Sequence, residues 1–175
     1  RHLVAHPAAV VAVLGAGLLE GVVVHGTLTY WPALLEFIDA RPGLAGLAVG
    51  CFGLGVVAGS RWVSATARPR PITALAGGTT ICLALLAAGF AQSLGVVVTL
   101  ALAGVLGAGF AAIHSSLQSW ATEAPPETRA LVVAFFVAAV FLGGAAGAAL
   151  AAGVVATRWF PLVYLVGAAL AVPLT

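Results

Sequence analysis

The chain has no lysine and no methionine, and Asp, Glu and Arg together make up only 7% of its 175 residues. A water-soluble domain covers its surface with roughly 25% charged side chains. This sequence cannot make such a surface. Its mean hydropathy is +1.17 and 62% of it is hydrophobic, so lipid must be the solvent for most of its exterior. The net charge of +2 is small and scattered, which excludes nucleic acid as a partner. The two cysteines, Cys51 and Cys82, both fall in apolar runs and read as small buried hydrophobes, not as a disulfide or a metal pair. No metal site and no cofactor is expected.

What fills the sequence instead is apolar runs of membrane-crossing length. A helix needs about 20 apolar residues to span a bilayer. Runs of that kind cover 8–35, 43–62, 71–91, 94–118, 129–156 and 159–175. The connections hold the helix breakers and charges: "EFIDARPG", "SRWVSATARPRP", "AQS", "SWATEAPPETR" and "ATRWFP". The alternation of a membrane β-barrel is absent. The fold class expected is therefore all-α and polytopic, with six transmembrane helices. The last run is short, and the chain opens on Arg1 and stops at Thr175 inside an apolar stretch, which reads as a fragment.

Arginine sets the orientation. With the N-terminus cytoplasmic, Arg1, Arg61, Arg68, Arg70 and Arg129 lie inside and Arg41 and Arg158 outside, as the positive-inside rule requires. Trp31, Trp62, Trp120 and Trp159 each fall at a predicted span end, where an indole prefers the headgroup layer. Gly17/Gly21, Gly46/Gly50, Gly55/Gly59 and Gly143/Gly147 match G-x-x-x-G, the spacing that lets helix backbones approach in lipid. The small-residue run "GGAAGAALAAG" at 143–153 is either a static seam or one that rocks.

A charge at the bilayer centre costs at least ~2.5–3.5 kcal/mol, so ionisable groups inside spans need a reason. Glu20 sits about halfway along the first span. On a regular helix Glu20, Thr27 and Trp31 share one stripe, expected to face a wet central cavity, while His25 points about 140° away. Glu20 either binds substrate or a proton, or is a structural carboxyl bonded to a neighbouring helix. In the fourth span His114 and Gln118 share a face, which either lines an exit path or anchors a loop. Enzyme signatures are missing: there is no H-E-x-x-H, G-x-S-x-G or P-loop, and His114 and Ser115, as chain neighbours, do not face each other on a helix. No enzymatic activity is expected.

"EGVVVHGTLTYWPALL" and "GLAGLAVGCFGLGVVAG" resemble helices seven and eight of bacterial sugar/drug efflux permeases, a branch of the major facilitator superfamily. The segment from Gly109 to Leu150 resembles their helices ten and eleven with the joining loop, through His114, Gln118, Glu123, Pro125, Pro126, Glu127 and Arg129. Ala130 stands where such families often have glycine, and the loop after the second span keeps Gly59, Arg61, Arg68 and Arg70 but has no Asp. The resemblance implies the C-terminal six-helix half of a transporter, built as two inverted three-helix repeats, whose N-terminal half is absent from this sequence. It implies a multi-pass protein of the bacterial inner membrane, whose partners are membrane lipid, that N-terminal half, a small organic substrate and protons. The activity implied is secondary transport in the form of proton-coupled efflux, with Glu20, His25, Thr27, Trp31, His114 and Gln118 as substrate or proton candidates. Arg61, Arg68, Arg70, Glu123, Glu127 and Arg129 become cytoplasmic gate candidates, Arg129 being either a salt-bridge latch or a loop residue. The alternative is a non-transporting six-helix scaffold or a half-transporter that dimerises with itself.

Overall fold

Proline and glycine fix where the helices start and stop. The computed structural model describes residues 7–39, 43–66 and 70–175. Arg1, Arg41 and Arg68 lie outside them. All regular structure among the described residues is helical. The first helix, α1, runs over Ala8–Ile38. The next four are α2 (Leu44–Thr66), α3 (Arg70–Ala88), α4 (Ala91–Thr122) and α5 (Pro126–Ala156). These five are long and apolar enough to cross a membrane. The sixth, α6 (Phe160–Ala171), continues through a 3₁₀ turn at Val172–Leu174 and is a shorter apolar helix.

The boundaries have local causes. Pro126 and Glu127 occupy the first turn of α5, where a missing N–H costs nothing and an acid suits the positive end of the dipole. Pro161 does the same for α6. Gly95 (φ 80°, ψ 174°) breaks the start of α4, a conformation open to glycine and strained for other residues. The regular part of α4 therefore begins just after it, close to the predicted start at 94.

α1 is not one regular helix. An α segment, Pro7–Glu20, gives way to a π-helical segment, Gly21–His25, and then to a short α turn, Gly26–Leu28. A break at Thr29 and Tyr30 precedes a last segment, Trp31–Ile38, with Pro32 in its first turn. Residues closed by i→i+5 bonds advance by a smaller angle each than α-helical residues. The face presented by α1 therefore rotates on passing Gly21–His25.

Small residues bring the helices together in several seams, with Gly77 of α3 and Gly109 of α4 also meeting backbone to backbone. Between α1 and α5, a Cβ at Gly21 would run into the Val140 carbonyl, and one at Gly143 into that of Leu18. Between α2 and α4, Gly55 lies against the Gly104 carbonyl and Gly107 against that of Phe52. Here backbone meets backbone, which is how helices associate when lipid removes the hydrophobic drive. The expected Gly46/Gly50 pair behaves differently: nothing lies within 4 Å of either Cβ position, so that motif faces outward. The outer surface is apolar, with Val97 and Leu150 80% exposed and Leu54 72%. Several Ser and Thr hydroxyls within these helices are satisfied along their own helix, as in Thr80 to Ala76 O (2.7 Å) and Ser116 to Ala112 O (3.0 Å).

Two expectations are corrected. Trp31 does not present its indole to the surface of the bundle. It is fully buried, edge-on to Tyr164 with ring centroids 5.1 Å apart, and its Nε1–H donates to Thr99 O at 3.2 Å. The break at Thr29–Tyr30 turns this indole inward, where packing area outweighs the interfacial preference. Nor does the Glu20–Thr27–Trp31 stripe face a wet cavity. All of these side chains are buried inside the bundle.

Candidate functional site: a buried acid–histidine pair

Glu20 is the last residue before the π-helical segment. Its side chain is wholly buried, and it faces His114 of α4. His114 Nδ1 lies 3.2 Å from Oε1 and 3.2 Å from Oε2, so one ring nitrogen is shared by both carboxyl oxygens. The His114 side chain is 25% exposed. Of the two groups, only the histidine reaches the molecular surface.

Such a pair is neutral when it holds one proton, whether as carboxylate and imidazolium or as carboxylic acid and imidazole. Gaining or losing a proton leaves a net charge in an apolar interior, which is costly.

The surroundings are aromatic. His114 is stacked at a tilt on Phe110 (4.9 Å) and Phe136 (5.4 Å). His25 packs edge-on against the other side of Phe110, at 5.2 Å, and at a tilt to Phe141 at 6.3 Å. A regular helix would aim His25 away from this group. The smaller advance per residue in Gly21–His25 brings it round to the same phenyl ring. His25 does not bond Glu20, and its buried Nδ1 has no partner among the described residues.

The remaining candidates separate from this pair. Thr27 is buried, and its hydroxyl donates to Val23 O at 2.6 Å. Its methyl faces α6, where a Cβ on Gly167 would come within 2.8 Å of it. Gln118 is exposed, so the face it shares with His114 divides: His114 turns to Glu20 and Gln118 stays outside.

At the end of the bundle that carries Arg61, Arg70 and Arg129, Arg70 is paired with Glu123. This links the start of α3 to the end of α4. Both side chains are about half exposed, 49% and 51%, so the contact is weak. Arg61 and Glu127 are exposed. Arg129 makes no ion pair among the described residues. Its Nε–H donates to Ala124 O at 3.2 Å, which ties down the α4–α5 loop. Arg68 lies outside the described residues.

Several contributors carry no sequence signal. Phe110 and Phe136 wall the pair, and both look like ordinary span residues. Tyr30 donates its hydroxyl to Ala148 O at 2.6 Å and so ties α1 to α5. Tyr164 is fully buried with no partner for its hydroxyl among the described residues. No cluster of three His, Cys, Asp or Glu side chains able to hold a metal occurs among the described residues. Comparison of the chain with protein families, with curated proteins and with solved structures finds no match.

Proposed function

We propose that this chain is the C-terminal six-helix half of a secondary transporter of the major facilitator type, sited in a bacterial inner membrane with its N-terminus cytoplasmic. On this reading it exports a small organic molecule in exchange for protons, and Glu20 with His114 is the proton-carrying pair. The observation that carries the proposal is the burial of Glu20 with a histidine as its hydrogen-bond partner. An intramembrane acid is retained against a cost of a few kcal/mol, and a purely structural bond between helices would be made as well by a neutral amide. A proton reaching Glu20 from the surface passes His114, the exposed member.

The helix pairing supports the inverted three-helix repeat. If α1–α3 repeat as α4–α6, the α1–α5 seam is the counterpart of the α4–α2 seam. Both are built the same way, glycine against backbone carbonyl. In transporters built from such repeats the coupling site lies near the bilayer midplane, the depth at which Glu20 interrupts α1.

The test uses the full-length protein in proteoliposomes, with a panel of fluorescent dyes and radiolabelled sugars under an imposed pH gradient. The wild-type protein should concentrate at least one probe. Glu20→Gln should abolish gradient-driven accumulation while sparing exchange of that probe, and His114→Asn should weaken accumulation at the same step. No accumulation of any probe by the wild-type protein would remove the transport reading. Unchanged accumulation by Glu20→Gln would remove the pair from coupling.

A further inference from the structure

A cleft of about 180 Å³ opens between α1, α5 and α6, away from Glu20 and His114. Its floor is Gly26, Gly147 and Ala151, and its rim includes Leu150, Val166 and Leu170. The rim residues are 80%, 47% and 41% exposed, so the cleft opens sideways, toward the surroundings of the bundle. Thr27 contributes a hydroxyl to the lining, but that hydroxyl is already bonded to Val23 O. Hydrocarbon is the chemistry that matches such a lining.

At one end the cleft meets the α5–α6 turn. Val154 and Leu162 line it, and both bond to that turn: Trp159 N–H donates to Val154 O (3.4 Å), and Leu162 N–H to Trp159 O (3.2 Å). Arg158 sits in the turn with φ 60°, directly after the residue that caps α5. Glycine is the residue favoured there, so an arginine is held against the backbone's preference. Its guanidinium rests 5.9 Å from the Phe37 ring centroid and makes no ion pair among the described residues. Trp159 beside it is 60% exposed. An unpaired cation and an indole at the end of an apolar cleft match the two ends of a lipid.

We propose that this cleft and Arg158 form a site for an anionic glycerophospholipid. One acyl chain lies in the cleft, and the phosphate lies on Arg158 at the level of Trp159. The site requires only that the chain sits in a bilayer, and it stands whether or not Glu20 carries protons.

The experiment is photo-crosslinking in nanodiscs of the full-length protein, with acyl-chain diazirine phosphatidylglycerol or phosphatidylcholine at trace level. Labelled peptides are mapped by mass spectrometry. Phosphatidylglycerol should label the residues of the cleft about fivefold more than phosphatidylcholine, the factor expected of one arginine near an anionic charge. Arg158→Gln should erase that excess. Ala151→Phe should remove cleft labelling by both lipids, and Val166→Phe at the exposed rim should do the same if the first variant fails to fold. Equal labelling by the two lipids, an excess that survives Arg158→Gln, or cleft labelling that survives Val166→Phe would each overturn the site.

Discussion

Replacing His114 with Phe separates the hydrogen bond from the packing around it. The phenyl ring takes the imidazole's place between Phe110 and Phe136 and is slightly larger, so no cavity opens. What is lost is the hydrogen-bond partner of a carboxyl group with no solvent exposure. Stranding a buried polar group costs about 1–3 kcal/mol, and about 3–5 kcal/mol if the group is held charged. Glu20→Leu strands the imidazole instead. That ring is 25% exposed and can turn to another partner, so this variant should lose at most about 1 kcal/mol. The double variant His114→Phe/Glu20→Leu leaves neither polar group behind and should return to within about 1 kcal/mol of the wild type. The assay is reversible unfolding in mixed detergent micelles, run as a double-mutant cycle. In a thermal scan, the cost of about 1–3 kcal/mol for His114→Phe should lower the midpoint by about 2–12 °C for a chain of this size. The reasoning fails if Glu20→Leu costs more than His114→Phe, or if the double variant is no more stable than His114→Phe alone.

The glycine seams give a matched set: Gly55→Ala and Gly143→Ala drive a methyl into a facing carbonyl and should each destabilise by about 1–3 kcal/mol. Gly46→Ala, with open space around it, should be neutral or stabilising by about 0.5–1 kcal/mol, and thermal unfolding in detergent that ranks Gly46→Ala with the other two would refute the assignment of seams. Tyr164→Phe removes a buried hydroxyl without a partner among the described residues and should stabilise by about 1 kcal/mol or more; a lowered midpoint in the same scan would show that the hydroxyl is bonded. Arg70→Ala should cost no more than about 1 kcal/mol, and less in high salt, because both partners are half exposed; a larger, salt-independent loss would mark the contact as a structural lock.

The five long apolar helices were legible because lipid imposes a length on any helix that crosses it, and because proline and glycine mark the ends. Gly95 and Pro126 act where a sequence reading expects boundaries. Glu20 stood out for a related reason: an acid in an apolar run is conspicuous by its cost. Its partner was not legible. Glu20 and His114 are 94 residues apart, and helical periodicity says which residues share a face, not which faces meet. The inward turn of Trp31 follows from the break at Thr29–Tyr30, which Pro32 marks but whose direction helical periodicity does not give.

The π-helical segment joins the seam to the site. Gly21 opens that segment and also packs against the backbone of Val140 and Gly144 in α5. His25 closes it and packs over Gly144, whose Cβ would come within 2.8 Å of its own. The turn that sets His25 on Phe110 is therefore bounded at both ends by contact with one short stretch of α5. Glu20 sits just before it and His114 just across from it. Sliding α5 along α1 would press first on Gly21 and His25, and through them on the rings that enclose the pair. The α1–α5 seam and the Glu20–His114 pair, which the sequence leaves separate, are joined through the same few residues.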